Sequence, residues 1–345
     1  MATRSAALLD PFLSVPPESS LILLTGILGA STNWLLLRYL QRALGLSPSS
    51  TSPEARQRDN QDGNGGSNES QEEETTVVVL ASFLRDFSFW RDGFSRLGRG
   101  LDLEALGRHG RFAFVDGLDG LFAPASSSSS QRQAPTAPTR GPEVMSPAMG
   151  RRPLVPISPV GRPAGDSQKW KFTIPRSAGV REVGRTLSEA VDFLRYPPQT
   201  AAGTSGKRKV VLVIDQLDFL AAATEGEASG NDIRDMLLDL RENVHSTILT
   251  IAADDPLVAH QTTTLEREHA ALALSLAHEA AMVLSLRLLD TGTAKDVSGV
   301  IRITRGGAAS EAGPGLAISD ENEGEKEYLY HVGGDGGLRV FERGQ

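Results

Sequence analysis

The residues that could bind a phosphate lie near the N-terminus, between an apolar stretch and a predicted helix. The apolar run Leu21–Leu24 enters a turn, and the chain leaves that turn with leucines at helical spacing. Nucleotide-binding proteins place the motif G-x-x-x-x-G-K-[ST] in such a strand, turn and helix. When the chain is laid on that motif, Gly26 takes the first glycine position. The loop residues considered are Gly26, Gly29, Ser31, Thr32 and Asn33, of which the last three stand where the second glycine, the lysine and the magnesium-binding hydroxyl belong.

This loop therefore lacks two side chains that support phosphoryl transfer. The lysine contacts the outer phosphates and the hydroxyl holds Mg²⁺, so their loss removes the main stabilisers of charge. The backbone amides of a turn and a helix N-terminus could still attract a phosphate. An ordinary buried strand that feeds a helix explains the same residues, so this stretch alone leaves both interpretations open. We predict no catalytic residue, no cofactor and no metal site.

A carboxylate follows a strongly apolar segment in the middle of the chain. Val210–Ile214 ends at Asp215, which has the form of a Walker-B-like segment whose carboxylate would hold Mg²⁺. Aspartate is also common where a strand turns for structural reasons. The chain repeats the pattern, with V-D-G-L-D at 115–119 and I-D-Q-L-D at 214–218. Two copies beside an incomplete phosphate loop favour a structural role for Asp215 over a catalytic one.

The other motifs do not indicate a catalytic or metal site. G-T-S-G-K at 203–207 contains a lysine but precedes a strand, whereas a phosphate loop must follow one. The six histidines lack the H-E-x-x-H spacing of a zinc site, and the chain has no G-x-S-x-G nucleophile motif. His269 lies close to Glu266 and Glu268, and we interpret it as a helix-surface group rather than a general base.

The composition excludes several classes of function. The 345 residues include 39% hydrophobic residues, which suffices for a sizeable core, and the formal net charge of −8 argues against a generally basic nucleic-acid-binding surface. The absence of cysteine excludes disulfides and thiolate chemistry and fits the cytoplasm or nucleus. Asp10, Pro16 and Pro17 precede the first apolar run, so no signal peptide is expected. Glycine and polar residues interrupt the bilayer-length window at 21–37, so no membrane span is expected either.

The order of the elements predicts one domain over residues 1–345. Apolar runs of strand length alternate with amphipathic helices, one of them capped by Asn231, and four strands end the chain. Three low-complexity insertions, at about 47–75, 124–168 and 306–325, are predicted to be disordered. This order predicts an α/β three-layer sandwich, with a mainly parallel sheet flanked by helices and an antiparallel C-terminal extension.

Five segments give the chain a family resemblance. They resemble a RecA-like domain that lacks a functional nucleotide-binding loop, and more closely the fungal members of the Elongator complex protein 6 family. The segments are STNWLLLRYL at 31–40, SFLRDFSFWRDG at 82–93, GRFAFVDGL at 110–118, VVLVIDQLDFLAA at 210–222 and SLRLLDTGTAKDVSGVIRITRGG at 285–307. The low-complexity insertions fall outside the resemblance.

The resemblance implies a non-catalytic subunit of the Elongator complex. Such a subunit forms a heterohexameric ring with two related RecA-like subunits, two copies of each, and the ring binds tRNA in support of wobble-uridine modification. The chemistry itself belongs to the catalytic Elongator subcomplex. The loops after the fourth and fifth strands of RecA-like rings face the central opening, here at about 219–230 and 253–264. Both loops carry acidic residues and no lysine or arginine, so we expect this subunit to contribute ring geometry more than phosphate contacts.

Two other functions stay open from the sequence. One is an active RecA-type ATPase that uses Asp215, and the other is a stand-alone RNA-binding module. Lys207, Arg208 and Lys209 form a compact basic cluster, which we interpret as a solvated strand edge rather than an RNA site.

Overall fold

Ten strands form a single sheet in the computed structural model, which describes residues 8–45, 75–98, 101–122, 170–175, 179–196, 208–223, 228–289, 294–310 and 325–342. The strands are β1 Leu21–Gly26, β2 Thr75–Ser82, β3 Phe112–Asp116, β4 Lys171–Thr173, β5 Arg208–Asp215, β6 Ser246–Ala252, β7 Met282–Arg287, β8 Gly299–Arg305, β9 Lys326–Val332 and β10 Leu338–Glu342. Their order across the sheet is β10-β9-β8-β7-β1-β6-β5-β2-β3-β4. The seven strands from β7 to β4 in this order are parallel, and β8, β9 and β10 extend the sheet with antiparallel pairing.

Helices cover both faces of the sheet. The helices are α1 Asn33–Ala43, α2 Phe87–Arg96, α3 Leu103–Arg108, α4 Leu118–Phe122, α5 Val180–Arg195, α6 Phe219–Ala223, α7 Gly230–Arg241 and α8 Thr264–Glu279, with a short 3₁₀ helix at Asp10–Leu13. The first three helices pack on one face, and α5 to α8 contribute to the core on the other. None of the helices in the described residues is long and apolar enough to cross a membrane.

The central strands are apolar throughout because both of their faces are covered. In β5, Val211 and Val213 point into the core beneath α1 and α2, whereas Leu212 and Ile214 point into the core beneath α5 and α7. Side chains alternate between the two faces of a strand, so one continuous apolar run serves both cores. The α/β three-layer sandwich predicted from the sequence is confirmed, including the antiparallel C-terminal extension.

The structure corrects the predicted start of α7. Asn231 was expected to cap this helix, but Ser229 is the N-cap, and the prediction is wrong by two residues. The Ser229 side chain accepts a hydrogen bond from the Asp232 amide, and the Asp232 carboxylate accepts one from the Ser229 amide. This reciprocal capping box satisfies two amides at once, which a cap at Asn231 would not.

The predicted insertions lie mostly outside the described residues. The exceptions are their ends, where Thr75 begins β2 and Gly306–Ser310 form a turn. The Gly306 amide donates to the Ala281 carbonyl and the Ala308 amide donates to the Ala280 carbonyl, so this turn is held at the end of α8. The G-T-S-G-K segment at 203–207 lies wholly outside the described residues.

A close contact between a glycine and a tryptophan holds α3 and β4 at the edge of the sheet. A Cβ atom on Gly107 would lie 2.4 Å from Cδ2 of Trp170, and Trp170 is buried. We predict that Gly107→Ala lowers the free energy of unfolding by about 1–3 kcal/mol, since the overpacking must displace backbone or ring. Chemical denaturation measures the change. Gly334→Ala is the control, because nothing lies within 4 Å of its added Cβ, and equal losses in the two variants would contradict the proposed contact.

Candidate functional site

The carboxyl ends of β1, β2, β5 and β6 meet at one edge of the parallel sheet, where α/β proteins usually bind ligands. The residues of the incomplete phosphate loop follow β1, Ser82 ends β2, and Asp215 ends β5. Ser82 is paired in register with Asp215, and Gly26 is paired with Ala252 at the end of β6. The sequence motifs that could bind a nucleotide are therefore gathered in one place.

The loop after β1 is a tight turn closed by its own backbone. The Ala30 amide donates to the Ile27 carbonyl at 2.9 Å, and Gly29 has a φ of +91°, a conformation that favours glycine. A Cβ on Gly26 would lie 2.9 Å from the Ala30 carbonyl oxygen, so the turn folds directly onto the end of β1. Leu28 at the tip of the turn is 87% exposed. The backbone thus bends back within four residues instead of forming a wider cradle.

The position that a phosphate-loop lysine would take is inside the protein. Thr32 is 2% exposed and serves as the N-cap of α1. Its neighbour Ser31 accepts a hydrogen bond at its Oγ from the Asn33 amide, which uses one of the free donors at the start of the helix. Gly26, Gly29, Ser31, Thr32 and Asn33 are thus brought together as the sequence predicts, and one of their amides is hydrogen-bonded within the group.

A carboxylate takes a backbone amide of the same turn. The Leu28 amide donates to Oδ1 of Asp254 at 2.8 Å, and the Ala253 amide donates to the Gly26 carbonyl at 2.7 Å. Amides in a turn of this kind are the donors that would hold a phosphate oxygen in a working loop. Here the Asp254 carboxylate already accepts a hydrogen bond from one of these amides, and its negative charge would repel a phosphate.

Asp215 is buried between its neighbouring strands. Its carboxylate accepts hydrogen bonds from the Ser82 hydroxyl at 2.8 Å and from the Thr250 hydroxyl at 3.1 Å, and the residue is 0% exposed. Thr250 Oγ1 in turn accepts from the Gln216 amide at 2.7 Å. Both oxygens of the carboxylate are therefore occupied by side chains of β2 and β6.

Burial raises the pKa of Asp215 to about 6, although the hydrogen bonds from Ser82 and Thr250 oppose the shift. The group is thus still mainly ionised at neutral pH, at a cost in stability. Within the described residues, no group of three or more potential ligands is placed to hold a metal ion. The carboxylate that a Walker-B-like segment would present to Mg²⁺ has no open face here.

Two further buried polar residues, Asp218 and His269, lie at the same edge of the sheet as Asp215. His269 is 6% exposed, so the interpretation of it as a helix-surface group is wrong. Its Nε2 lies 2.9 Å from the Ala252 carbonyl and must donate there, while Nδ1 lies 4.0 Å from Oδ2 of Asp218. Burial raises the pKa of Asp218, and the charge of His269 opposes that shift. The pair holds Ala252 from both sides, because the Ala252 amide also donates to Asp218.

No sequence motif points to Ser82 or Thr250, which lie inside or at the end of apolar strands. Knowledge of the strand register would have identified Ser82, because Ser82 is paired in register with both Asp116 and Asp215. The two copies of the repeated motif, at 115–119 and 214–218, make different contacts through their first aspartates. Asp116 accepts from the Asp119 amide at 2.8 Å in a local turn, whereas Asp215 is held by other strands.

The predicted RNA-facing loops are partly helical. Residues 219–230 contain α6, and 253–264 contain a π-helical turn at Pro256–His260. Residues 224–227 lie outside the described residues. Asp255, His260 and Gln261 are exposed in the second loop.

The basic cluster at 207–209, which overlaps the start of β5, is less exposed than expected where the structure describes it. Arg208 is half-buried and donates to the carbonyls of Gly110 and Leu194. Burial lowers the pKa of Arg208. Its hydrogen bonds connect β5 to two neighbouring segments, so this arginine is not part of a freely solvated edge. Lys207 lies outside the described residues.

Comparison with known proteins supports the fold alone. No protein-family profile matches the chain, and no curated protein matches it. An uncharacterised protein from Pyrococcus horikoshii, solved in complex with an unknown peptide, is similar with a TM-score of 0.52 and 11% identity, over 98% of each chain. A KaiC-like protein from the same archaeon has a TM-score of 0.44 and 16% identity, covering 94% of this chain and 91% of that one. The chain has an α/β fold with a mainly parallel sheet and antiparallel strands at its C-terminal side.

The raised pKa of Asp215 makes stability depend on pH. A carboxyl with a folded pKa of about 6 and an ordinary value of 3.8 contributes stability that is present below pH 3.8 and lost as pH rises through 6. Asp215→Asn stays neutral, so we predict that the wild type loses about 3 kcal/mol relative to this variant between about pH 3 and pH 7. Urea unfolding across that range measures the difference.

The exposed Asp255 supplies the matched control. Asp255→Asn should show no such relative slope, because folding leaves this side chain in water. A relative stability of wild type and Asp215→Asn that does not change with pH would contradict the burial of a charged Asp215.

Proposed function

We propose that this chain is a non-catalytic subunit of a RecA-like ring of the Elongator type, built with two related subunits as a heterohexamer. The ring would bind tRNA and support wobble-uridine modification, which the catalytic Elongator subcomplex performs. The five sequence segments quoted above suggest this assignment, and the closed carboxyl edge is compatible with it. The observation that carries the non-catalytic role is the hydrogen bond from the Leu28 amide to the Asp254 carboxylate.

This contact matters because it combines two obstacles to nucleotide binding. It removes a donor from the turn, and it places a negative charge where phosphates would lie. The lysine that could offset this charge is replaced by the buried Thr32. A bound phosphate would have to break the contact and would then find no cation from this loop.

An active RecA-type ATPase is the principal rival. It would use Asp215 to position Mg²⁺, which requires an open carboxylate oxygen. Both oxygens of Asp215 accept hydrogen bonds from Ser82 and Thr250, and the residue is fully buried. Such an enzyme would need these strands to separate before each turnover, so the geometry favours the non-catalytic subunit.

A stand-alone RNA-binding module is the second rival. Phosphate contacts normally come from lysine and arginine, and their number sets the affinity. The loop at 253–264 offers none, and Arg208 in the basic cluster is engaged by backbone carbonyls. The proposed ring would therefore receive most of its positive charge at the RNA from partner subunits.

Co-purification followed by native mass spectrometry tests the proposal. We expect the tagged chain, recovered from native extract in nucleotide-free buffer, to carry two related subunits in a complex of six chains. Asp215→Asn should assemble to the same extent, because its side chain can keep the hydrogen bonds of the buried site. Recovery of monomer only would contradict the ring subunit, and a complex that needs Mg²⁺-ATP and is lost in Asp215→Asn would favour the ATPase.

A further inference from the structure

An apolar groove lies on the helical face that carries α1 and α2. Its walls are α1, α2 and the turn between β9 and β10, and its cavity volume is about 350 Å³. This volume lies within the range of about 300–1,000 Å³ that is usual for ligand sites. No function described above uses this groove.

The floor and walls of the groove are apolar. The apolar residues that line it are Trp34, Leu37, Phe89, Leu97, Val332 and Leu338. Leu37 and Leu338 are buried, while Phe89 at the entrance is 37% exposed. An aromatic side chain at the mouth of an apolar cleft is typical of a surface that receives another side chain.

The groove is held open by packed elements. Gly93 lets α2 approach α1, since a Cβ there would lie 2.9 Å from Cδ1 of Leu37. Trp34 packs against Tyr330 with ring centroids 5.0 Å apart. On the opposite wall, the Gly333 amide donates to the Gly337 carbonyl at 2.8 Å and closes the β9–β10 turn. The shape is therefore built by packed side chains together with the backbone of the β9–β10 turn.

Two arginines give the groove its charge. Arg38 donates to Gln41 and to the Gly336 carbonyl, and Arg96 is exposed at the rim. In the part of the chain that the structure describes, neither guanidinium forms an ion pair with a carboxylate. Asp92 also lines the groove, but Arg91 neutralises it through a contact of 3.0 Å. The groove is thus locally positive on a chain whose net charge is −8.

We propose that this groove binds a short peptide segment of a partner protein that combines large apolar side chains with aspartate or glutamate. The apolar residues would enter between Leu37 and Leu338, and the carboxylates would pair with Arg96 at the exposed rim. An arginine binds a carboxylate through two parallel N–H groups, which gives direction to an otherwise apolar contact. The inference does not depend on ring assembly, because it rests on the residues of the groove alone.

A peptide selection on the full-length chain tests this inference. A library of short random peptides displayed on phage is selected on the wild-type protein, and the enriched peptides are synthesised with a fluorescent label. We expect enriched peptides to carry leucine, phenylalanine or tryptophan together with acidic residues. Fluorescence anisotropy should show that Arg96→Glu weakens their binding about tenfold or more, since a reversed rim charge repels the carboxylates.

Arg339→Glu is the matched control. Arg339 is exposed on β10, and the alternation of side chains places it on the opposite face from Leu338. Binding should change less than about twofold in this variant. Phe89→Ala should also weaken binding, through loss of apolar contact rather than charge.

Several outcomes would overturn the inference. These are a failure to enrich any peptide, enrichment without acidic residues, and equal binding to the wild type and Arg96→Glu. Self-association that Arg96→Glu abolishes would instead identify a second copy of the chain as the occupant. If native extract yields only the monomer while the purified chain still binds the selected peptides, the result would count against the proposed ring subunit and not against the groove.

Discussion

The burial of the Asp215 carboxylate constrains the whole carboxyl edge of the sheet. A charged group without access to water must receive hydrogen bonds from the protein or be neutralised. Ser82 from β2 and Thr250 from β6 supply them, so three adjacent strands are linked at their ends. The same edge continues through Asp218 and His269 to Ala252, and through Asp254 to the turn at Leu28. Several polar groups of the edge therefore form hydrogen bonds with one another.

These internal hydrogen bonds separate the fold from the chemistry that often accompanies it. A parallel sheet of this kind brings strand ends together, but binding Mg²⁺ and phosphate also requires free carboxylate oxygens, free amides and a cation. In this chain both oxygens of Asp215 and the Leu28 amide already form hydrogen bonds, and the loop has no lysine. An edge hydrogen-bonded in this way is compatible with the ring subunit proposed above. The groove beside α1 offers a separate surface for contact with other proteins.

The fold was largely predictable, whereas the contacts of the site were not. The apolar runs of β1, β5 and β6 and the spacing of α5 and α8 gave the parallel sheet and its covering helices, because burial on two faces leaves a strong pattern. The cap at Ser229 was missed since several polar residues there could serve. His269 was misassigned because charged neighbours in sequence do not show which side of α8 faces the sheet. Ser82 and Thr250 became partners of Asp215 only through strand register, which depends on the order of strands across the whole sheet.

Binding of Mg²⁺-ATP to the purified chain tests the central claim most directly. Isothermal titration calorimetry at neutral pH should show no saturable binding at millimolar nucleotide, because Asp254 holds the turn amide and Asp215 is enclosed. Saturable, Mg²⁺-dependent binding with ATP hydrolysis, both lost in Asp215→Ala, would contradict the account and identify a working nucleotide site.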